Sequence, residues 1–146
     1  MKISTKGTYG MISIMDIAIH TNSEQLVSVA DIAARQKISK IYLEQVISNL
    51  RKANLLLGVK GPQGGYSLAR PASEITVLEI LEALEGNLFE ISIDKQVEED
   101  NTIADTLQKR VWTPMGEAIN HTIKQLTLQD LVEDYQNNQQ NYMFYI

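Results

Sequence analysis

Residues 28–70 read SVADIAARQKISKIYLEQVISNLRKANLLLGVKGPQGGYSLAR, and the fold turns on this stretch. Ser28 stands three residues before Asp31, a weak form of the hydroxyl–carboxylate pairing that caps a helix start. A short helix follows through Ile32, Ala33 and Ala34 to about Gln36-Lys37. Ser39 is the next N-cap, opening a second helix through Ile41, Leu43, Val46, Ile47 and Leu50 to about Ala53. A short helix, a tight turn and a second helix is the helix-turn-helix layout. Ile32, Ile38 and Val46 would lock the crossing, and the small Ala33 permits close approach; a plain three-helix core fits the same pattern. The continuation favours the first reading. Leu56–Lys60 and Tyr66–Leu68 have strand character, separated by the turn formers Gly61-Pro62-Gln63-Gly64-Gly65. A hairpin directly after a helix-turn-helix is a wing. Its glycine run is longer than a minimal turn needs, which suits close approach to a sugar-phosphate chain; an ordinary hairpin turn is the alternative.

Upstream, Tyr9 to Thr21 places Met11, Ile14, Met15, Ala18 and Ile19 at helical spacing, and Asn22–Gln25 breaks the pattern. Downstream, Ser73 or Thr76 can cap a helix carrying Val77, Ile80, Leu81 and Leu84 and stopped by Gly86, with Glu79, Glu82 and Glu85 on a solvated face. Residues 87–101 read as a loop or irregular strand. From Thr102 to Leu126 an apolar stripe runs through Ile103, Leu107, Val111, Met115, Ile119 and Ile123. Pro114 either starts a helix there, with Thr113 as N-cap, or kinks one long helix. The natural partner of so long a stripe is a second copy of itself, with packing onto the chain's own core as the alternative. Thr127 to Tyr135 forms a last short helix, and the polar Gln136–Asn141 reads as a flexible tether. The expected fold is mainly α with a small β-hairpin wing, a winged helix-turn-helix with a long dimerisation helix. Its regions are 1–72 for DNA binding, 73–135 for dimerisation and 136–146 as a flexible C-terminal tail.

Charge is segregated along the 146 residues. Residues 1–70 hold nine Lys/Arg against four Asp/Glu, net +5, whereas residues 71–146 hold four against fourteen, net −10. An even spread at a pI near 5.0 would argue against nucleic acid; segregation lets one half meet phosphates. The chain has no cysteine, which excludes disulfides and thiolate-held metal centres and points to a reducing compartment. No apolar run resembles a signal peptide or a membrane span, so a cytoplasmic chain is expected. Catalysis has little support. His20 and His121 lie on separate helices without metal-ligand neighbours, and Gly64-Gly65 lacks the Lys-Ser/Thr of a phosphate-binding loop. No enzyme, metal site or cofactor is expected.

The segments KISTKGTYG at Lys2–Gly10, VADIAARQKIS at Val29–Ser39, YLEQVISNLRKANLL at Tyr42–Leu56 and KGPQGGYSLAR at Lys60–Arg70 together resemble the Rrf-two family of bacterial repressors. The resemblance spans the whole chain and is most specific over residues 1–70. It implies a winged helix-turn-helix whose third helix enters the major groove. Cluster-binding members carry three cysteines between the fourth helix and the dimerisation helix; this chain has none there, so an iron–sulfur sensor is excluded. The family's cysteine-metabolism repressors open with a similar MKISTKG and close with a similar aromatic segment, here Tyr142-Met143-Phe144-Tyr145-Ile146.

On that footing the DNA-contacting residues are expected along the third helix, the wing and the chain start. Ser39 caps the helix and contacts DNA, Lys40 suits a phosphate or guanine edge, and Tyr42 donates its hydroxyl to a phosphate. Gln45 pairs with adenine, and Glu44 accepts from the N4 of cytosine unless it is spent on an intrachain ion pair. Arg51 and Lys52 fit the flanking backbone. Lys2, Lys6, Thr8 and Ser28 complete the phosphate contacts, with Lys60, Gly61, Gly64, Gly65 and Tyr66 on the wing. Lys60 stands where family members carry arginine, and it lacks the planar fork of that side chain.

The expected partners are double-stranded DNA bearing an inverted repeat, a second copy of the chain, and no membrane. The resemblance adds the enzyme cysteine synthase, in a complex that O-acetylserine disrupts. Tyr142, Phe144, Tyr145 and Ile146 are the expected contacts: Ile146 enters the enzyme's active site with its carboxylate in the place of the substrate's, or else the segment docks on the chain's own dimer. Two rival readings are an interaction protein whose tail inhibits the enzyme, and a repressor that senses a small molecule directly.

Overall fold

The computed structural model describes residues 2–87 and 102–144; the loop expected over 87–101 lies almost wholly outside them, as do Tyr145 and Ile146. Helix α1 spans Thr5–His20, α2 Val29–Gln36 and α3 Lys40–Lys52. Strands β1 (Leu56–Val59) and β2 (Gly65–Leu68) form an antiparallel hairpin pairing Leu56 with Leu68 and Val59 with Gly65. A 3-10 turn at Ala72–Glu74 leads into α4, Val77–Glu85. Helix α5 covers residues 102–125, and α6 runs Leu128–Phe144. The winged helix-turn-helix is present.

Side-chain caps set the helix starts. Ser28 and Asp31 close a full capping box on α2, each side chain bonded to the other's backbone N–H at 3.1 Å; the hydroxyl and then the backbone N–H of Ser28 hold the Asp31 carboxyl below its usual pKa. Ser39 accepts from the Tyr42 N–H at the start of α3. Helix α1 begins a turn earlier than the apolar spacing suggests, because Ser4 caps it by accepting from the Gly7 N–H. Ser4 is itself held by Glu85 of α4 through both its backbone N–H and its hydroxyl.

One core gathers Ile14 and Ile17 of α1, Ile32, Leu43, Val46, Ile47 and Leu50 of the helix-turn-helix, and Leu55 and Leu56 of the hairpin. Val27, Ile38, Ile75, Ile80, Leu84, Leu128 and Val132 complete it. The fully buried face of α1 runs through Gly7, Gly10, Ile14 and Ile17; of the expected stripe Ile14 lies on it, while Met11, Met15, Ala18 and Ile19 are partly buried and pack against the core. Any Cβ on Gly10 would overlap the Leu84 side chain, so the two helices meet backbone to side chain. The solvated-face reading of α4 fails for two of its three glutamates. Glu85 anchors Ser4, and Glu79 closes a capping box with Thr76 while pairing with Arg70 at 2.7 Å. Burial would raise the Glu79 pKa, but the Thr76 backbone bond and the Arg70 hydrogen bond and charge bring it below the usual value.

Under this frame lies a buried ion pair. The Asp16 side chain is fully buried on α1 and receives Arg35 Nε at 3.0 Å and Nη2 at 2.7 Å, with Gln36 Nε2 at 2.8 Å. It ties α1 to the end of α2. Burial pushes the Asp16 pKa up, but the bonds from Arg35 and Gln36, then the charges of Arg35 and His20, hold it below 3.8.

Pro114 neither starts a new helix nor breaks the old one. Thr102–Leu107 passes through a π-helical turn, Gln108–Trp112, into Thr113–Gln125. The Thr113 N–H reaches back to the Gln108 carbonyl, five residues earlier, and Thr113 does not act as an N-cap. A wider turn ahead of the proline accommodates the missing donor and the bulk of its ring. Only Gly116 of α5 is buried, and Ile103, Leu107, Val111 and Met115 are exposed. The expected tether at 136–141 is helical: α6 starts at a Thr127–Asp130 capping pair, buries Leu128 and Val132, and continues to Phe144. Once a turn is nucleated by burial, each added residue needs only one more hydrogen bond.

Candidate nucleic-acid interface

Helix α3 is split cleanly by its own periodicity. Leu43, Val46, Ile47 and Leu50 are buried, while Lys40, Ile41, Glu44, Gln45, Arg51 and Lys52 face outward. Ser39 is exposed at its start with its oxygen committed to the cap. Tyr42 is half-buried, its ring edge-on to Tyr9 of α1 at 5.2 Å and 84°, so the phenol is steadied between two helices.

Two grooves flank this outer face. One is lined by Lys6, Ile41, Glu44, Gln45, Ser48, Asn49 and Lys52, placing the α1 start beside α3. The other, between α3, the α2 start and the wing, is lined by Ser28, Val29, Ser48, Arg51, residues 58–61 and residues 64–66. Ser48 borders both, so the surface is continuous from α1 across α3 to the hairpin. Of the residues expected at DNA, these grooves bring together Lys6, Ser28, Glu44, Gln45, Arg51, Lys60, Gly61, Gly64, Gly65 and Tyr66. Lys40 is exposed on the same helix; Lys2 and Thr8 are exposed at the α1 start, outside both grooves.

The wing glycines are demanded by the hairpin itself. A Cβ on Gly64 would strike the Val59 carbonyl, and Gly65 sits at φ 155° with the Val27 backbone against it. There Val27 and Tyr66 exchange both backbone hydrogen bonds, at 3.1 and 2.7 Å, fixing the wing to the segment before α2.

Cations are sorted by the fold. Arg35 and Arg70 are spent on Asp16 and Glu79. Lys2, Lys6, Lys40, Arg51, Lys52 and Lys60 make no ion pair among the described residues, and neither does Glu44. The intrachain pair that would have occupied Glu44 is therefore not formed there. Sequence reasoning placed Ile41 with the core and overlooked Ser48 and Asn49. The signal was available: 41, 44, 45, 48 and 52 form one stripe at helical spacing, opposite 43, 46, 47 and 50.

Tyr142 and Met143 at the end of α6 are 70% and 75% exposed.

The family model described as "Rrf2: Iron-dependent Transcriptional regulator" matches residues 3–134. The HTH-type transcriptional regulator IscR of Cereibacter sphaeroides is 39% identical over 92% of this chain and 88% of its own length. The HTH-type transcriptional regulator CymR of Bacillus subtilis is 35% identical over the full length of both. The solved structure of CymR, the global cysteine regulator of B. subtilis, superimposes with a TM-score of 0.77 at 32% identity, covering 91% of this chain and 97% of that one. These relatives are named as regulators and not as enzymes. The family's iron dependence finds no thiolate in this chain. Among the described residues no cluster of His, Asp or Glu could replace it, so a cysteine-held iron–sulfur centre does not fit. The chain belongs to the Rrf2 family of DNA-binding transcriptional regulators.

Proposed function

We propose that this chain is a homodimeric repressor of cysteine and sulfur metabolism genes that reads an inverted repeat with α3. The observation that carries the reading is the continuous outer surface from Lys6 across Glu44 and Gln45 to the wing, with cations along it that make no ion pair among the described residues. A carboxylate costs affinity beside phosphates unless a base donor meets it, so the unpaired Glu44 suits the N4 of cytosine. The dimer rests on α5, whose Ile103, Leu107, Val111 and Met115 recur at every fourth residue and are all exposed. Sulfur metabolism rests on the full-length match to CymR and on the absence of cluster-ligating cysteines.

Two recognition helices related by a two-fold axis meet major grooves about 34–36 Å apart or a multiple of it. DNA selected from a random pool should contain an inverted repeat, and sedimentation should find two chains on it. A monomer that binds the selected DNA with undiminished affinity contradicts the dimer.

Control is proposed to act through cysteine synthase, contacted by Tyr142, Phe144, Tyr145 and Ile146. The exposure of Tyr142 and Met143 supports presentation of this segment to a partner. Burying the Ile146 side chain contributes about 1.5–3 kcal/mol. Replacing Ile146 with alanine should therefore weaken enzyme binding by about ten- to a hundredfold and leave the melting temperature unchanged, with O-acetylserine competing against the intact segment. A variant that melts earlier but still binds the enzyme favours docking on the chain's own dimer.

A further inference from the structure

We propose that Ile41 is a base-reading residue that recognises the 5-methyl group of a thymine, an inference that rests on α3 entering the major groove. Ile41 is 75% exposed, the same as Met143, the two highest exposures among the described large apolar residues. Yet it sits on a helix whose other four aliphatic residues, Leu43, Val46, Ile47 and Leu50, are all buried. Its position is three residues before Glu44 and four before Gln45, which puts the three side chains on one face. It lines the same groove as Lys6, Gln45 and Lys52.

The company it keeps specifies the occupant. Lys6 and Lys52 line its groove and the exposed Lys40 precedes it, none in an ion pair among the described residues. A protein partner bringing an apolar face would have to bury those charges, whereas a duplex neutralises them with phosphate. Inside the major groove the base edges offer donors, acceptors and one apolar group, the thymine methyl. A branched aliphatic side chain there has no hydrogen bond to give. It gains by covering that methyl, and it loses against cytosine, whose N4 donor it would strip of water. The polar Glu44 and Gln45 and the apolar Ile41 thus read different base edges from little more than one turn of helix.

The test isolates the methyl. The purified full-length chain selects DNA from a random pool, and each thymine of the selected half-site is replaced in turn by deoxyuridine, which deletes only that methyl. One buried methyl is worth ~0.8 kcal/mol, about fourfold per half-site or roughly fifteenfold when both half-sites are changed. The inference expects one thymine to show that loss with the natural chain, and Ile41→Ala to bind thymine and deoxyuridine operators alike. Circular dichroism melting should be unchanged in Ile41→Ala because the side chain is exposed. Indifference of the natural chain to every thymine-to-deoxyuridine replacement overturns the inference. So does an Ile41→Ala chain that keeps the full methyl dependence. A pool that yields no preferred sequence overturns the underlying reading of α3 as well, and is distinguishable because no half-site then exists to modify.

Discussion

Raising the salt concentration from 50 to 200 mM is expected to weaken operator binding by about 10³–10⁵-fold, in spite of an acidic isoelectric point. Affinity for DNA follows the counterions released where the protein touches phosphate, and not the net charge of the whole chain. The six cations at the proposed interface, Lys2, Lys6, Lys40, Arg51, Lys52 and Lys60, form no ion pair among the described residues. If roughly four per subunit meet phosphates, the dimer's log–log slope is on the order of −7. Lys6→Ala should flatten that slope by about 1–2 units per dimer and leave sequence preference intact, because a phosphate contact carries no base information. Fluorescence anisotropy of a labelled operator across a salt series reads both numbers. A slope near zero would mean that the basic half does not face the duplex.

Replacing Arg35 with alanine is expected to cost about 3–5 kcal/mol of stability, the usual penalty for leaving one partner of a buried pair unmatched. The two partners are not equivalent. The Asp16 side chain is fully buried while that of Arg35 is 34% exposed. Asp16→Ala should accordingly cost less, since the stranded guanidinium still reaches water. The pH dependence separates the cases. In the natural chain the folded Asp16 pKa lies below 3.8, so the pair's contribution is complete above about pH 5 and is lost as pH falls through the unfolded and then the folded pKa. In Arg35→Ala the carboxylate keeps its burial without its cation, which raises its pKa. Protonation then relieves the variant, and the gap from the natural chain should narrow as pH falls toward 4. Urea denaturation at pH 7 and pH 4 measures this; a gap that is small at pH 7 or widens toward pH 4 contradicts it. Arg35 also ends the first helix of the helix-turn-helix, so its loss should loosen α2 against α1 before it disturbs the wing.

The parts of this architecture that were legible in sequence are those fixed by neighbours. Ser28 with Asp31, Ser39 with the apolar spacing of α3, and the glycine run at 61–65 each act within a few residues, and each marks the element it was read to mark. What was hidden depends on distant partners. Ser4 and Glu85 are 81 residues apart, so Glu85 looked solvated and the first turn of α1 looked unanchored. Gly7 and Gly10 carry no apolar side chain, and their buried face was therefore eclipsed by the brighter Met11–Met15 stripe. Asp16 in the middle of an apolar helix was a clue whose answer, Arg35, lies on another element. Ile41 was absorbed into the core by its hydrophobicity, although its phase on the helix sets it opposite Leu43 and Val46. The Gln/Asn tract of α6 has the composition of a tether, and burial of Leu128 and Val132 one turn upstream overrides it.

If the outer face of α3 reads bases, the sequence preference of Glu44→Ala must differ from that of the natural chain. Both proteins are titrated against the selected operator and against every single-base-pair change in its half-site. The account predicts that Glu44→Ala loses discrimination at one base pair per half-site, by about 1–3 kcal/mol, with the remaining positions unchanged. An identical preference in both proteins would contradict it.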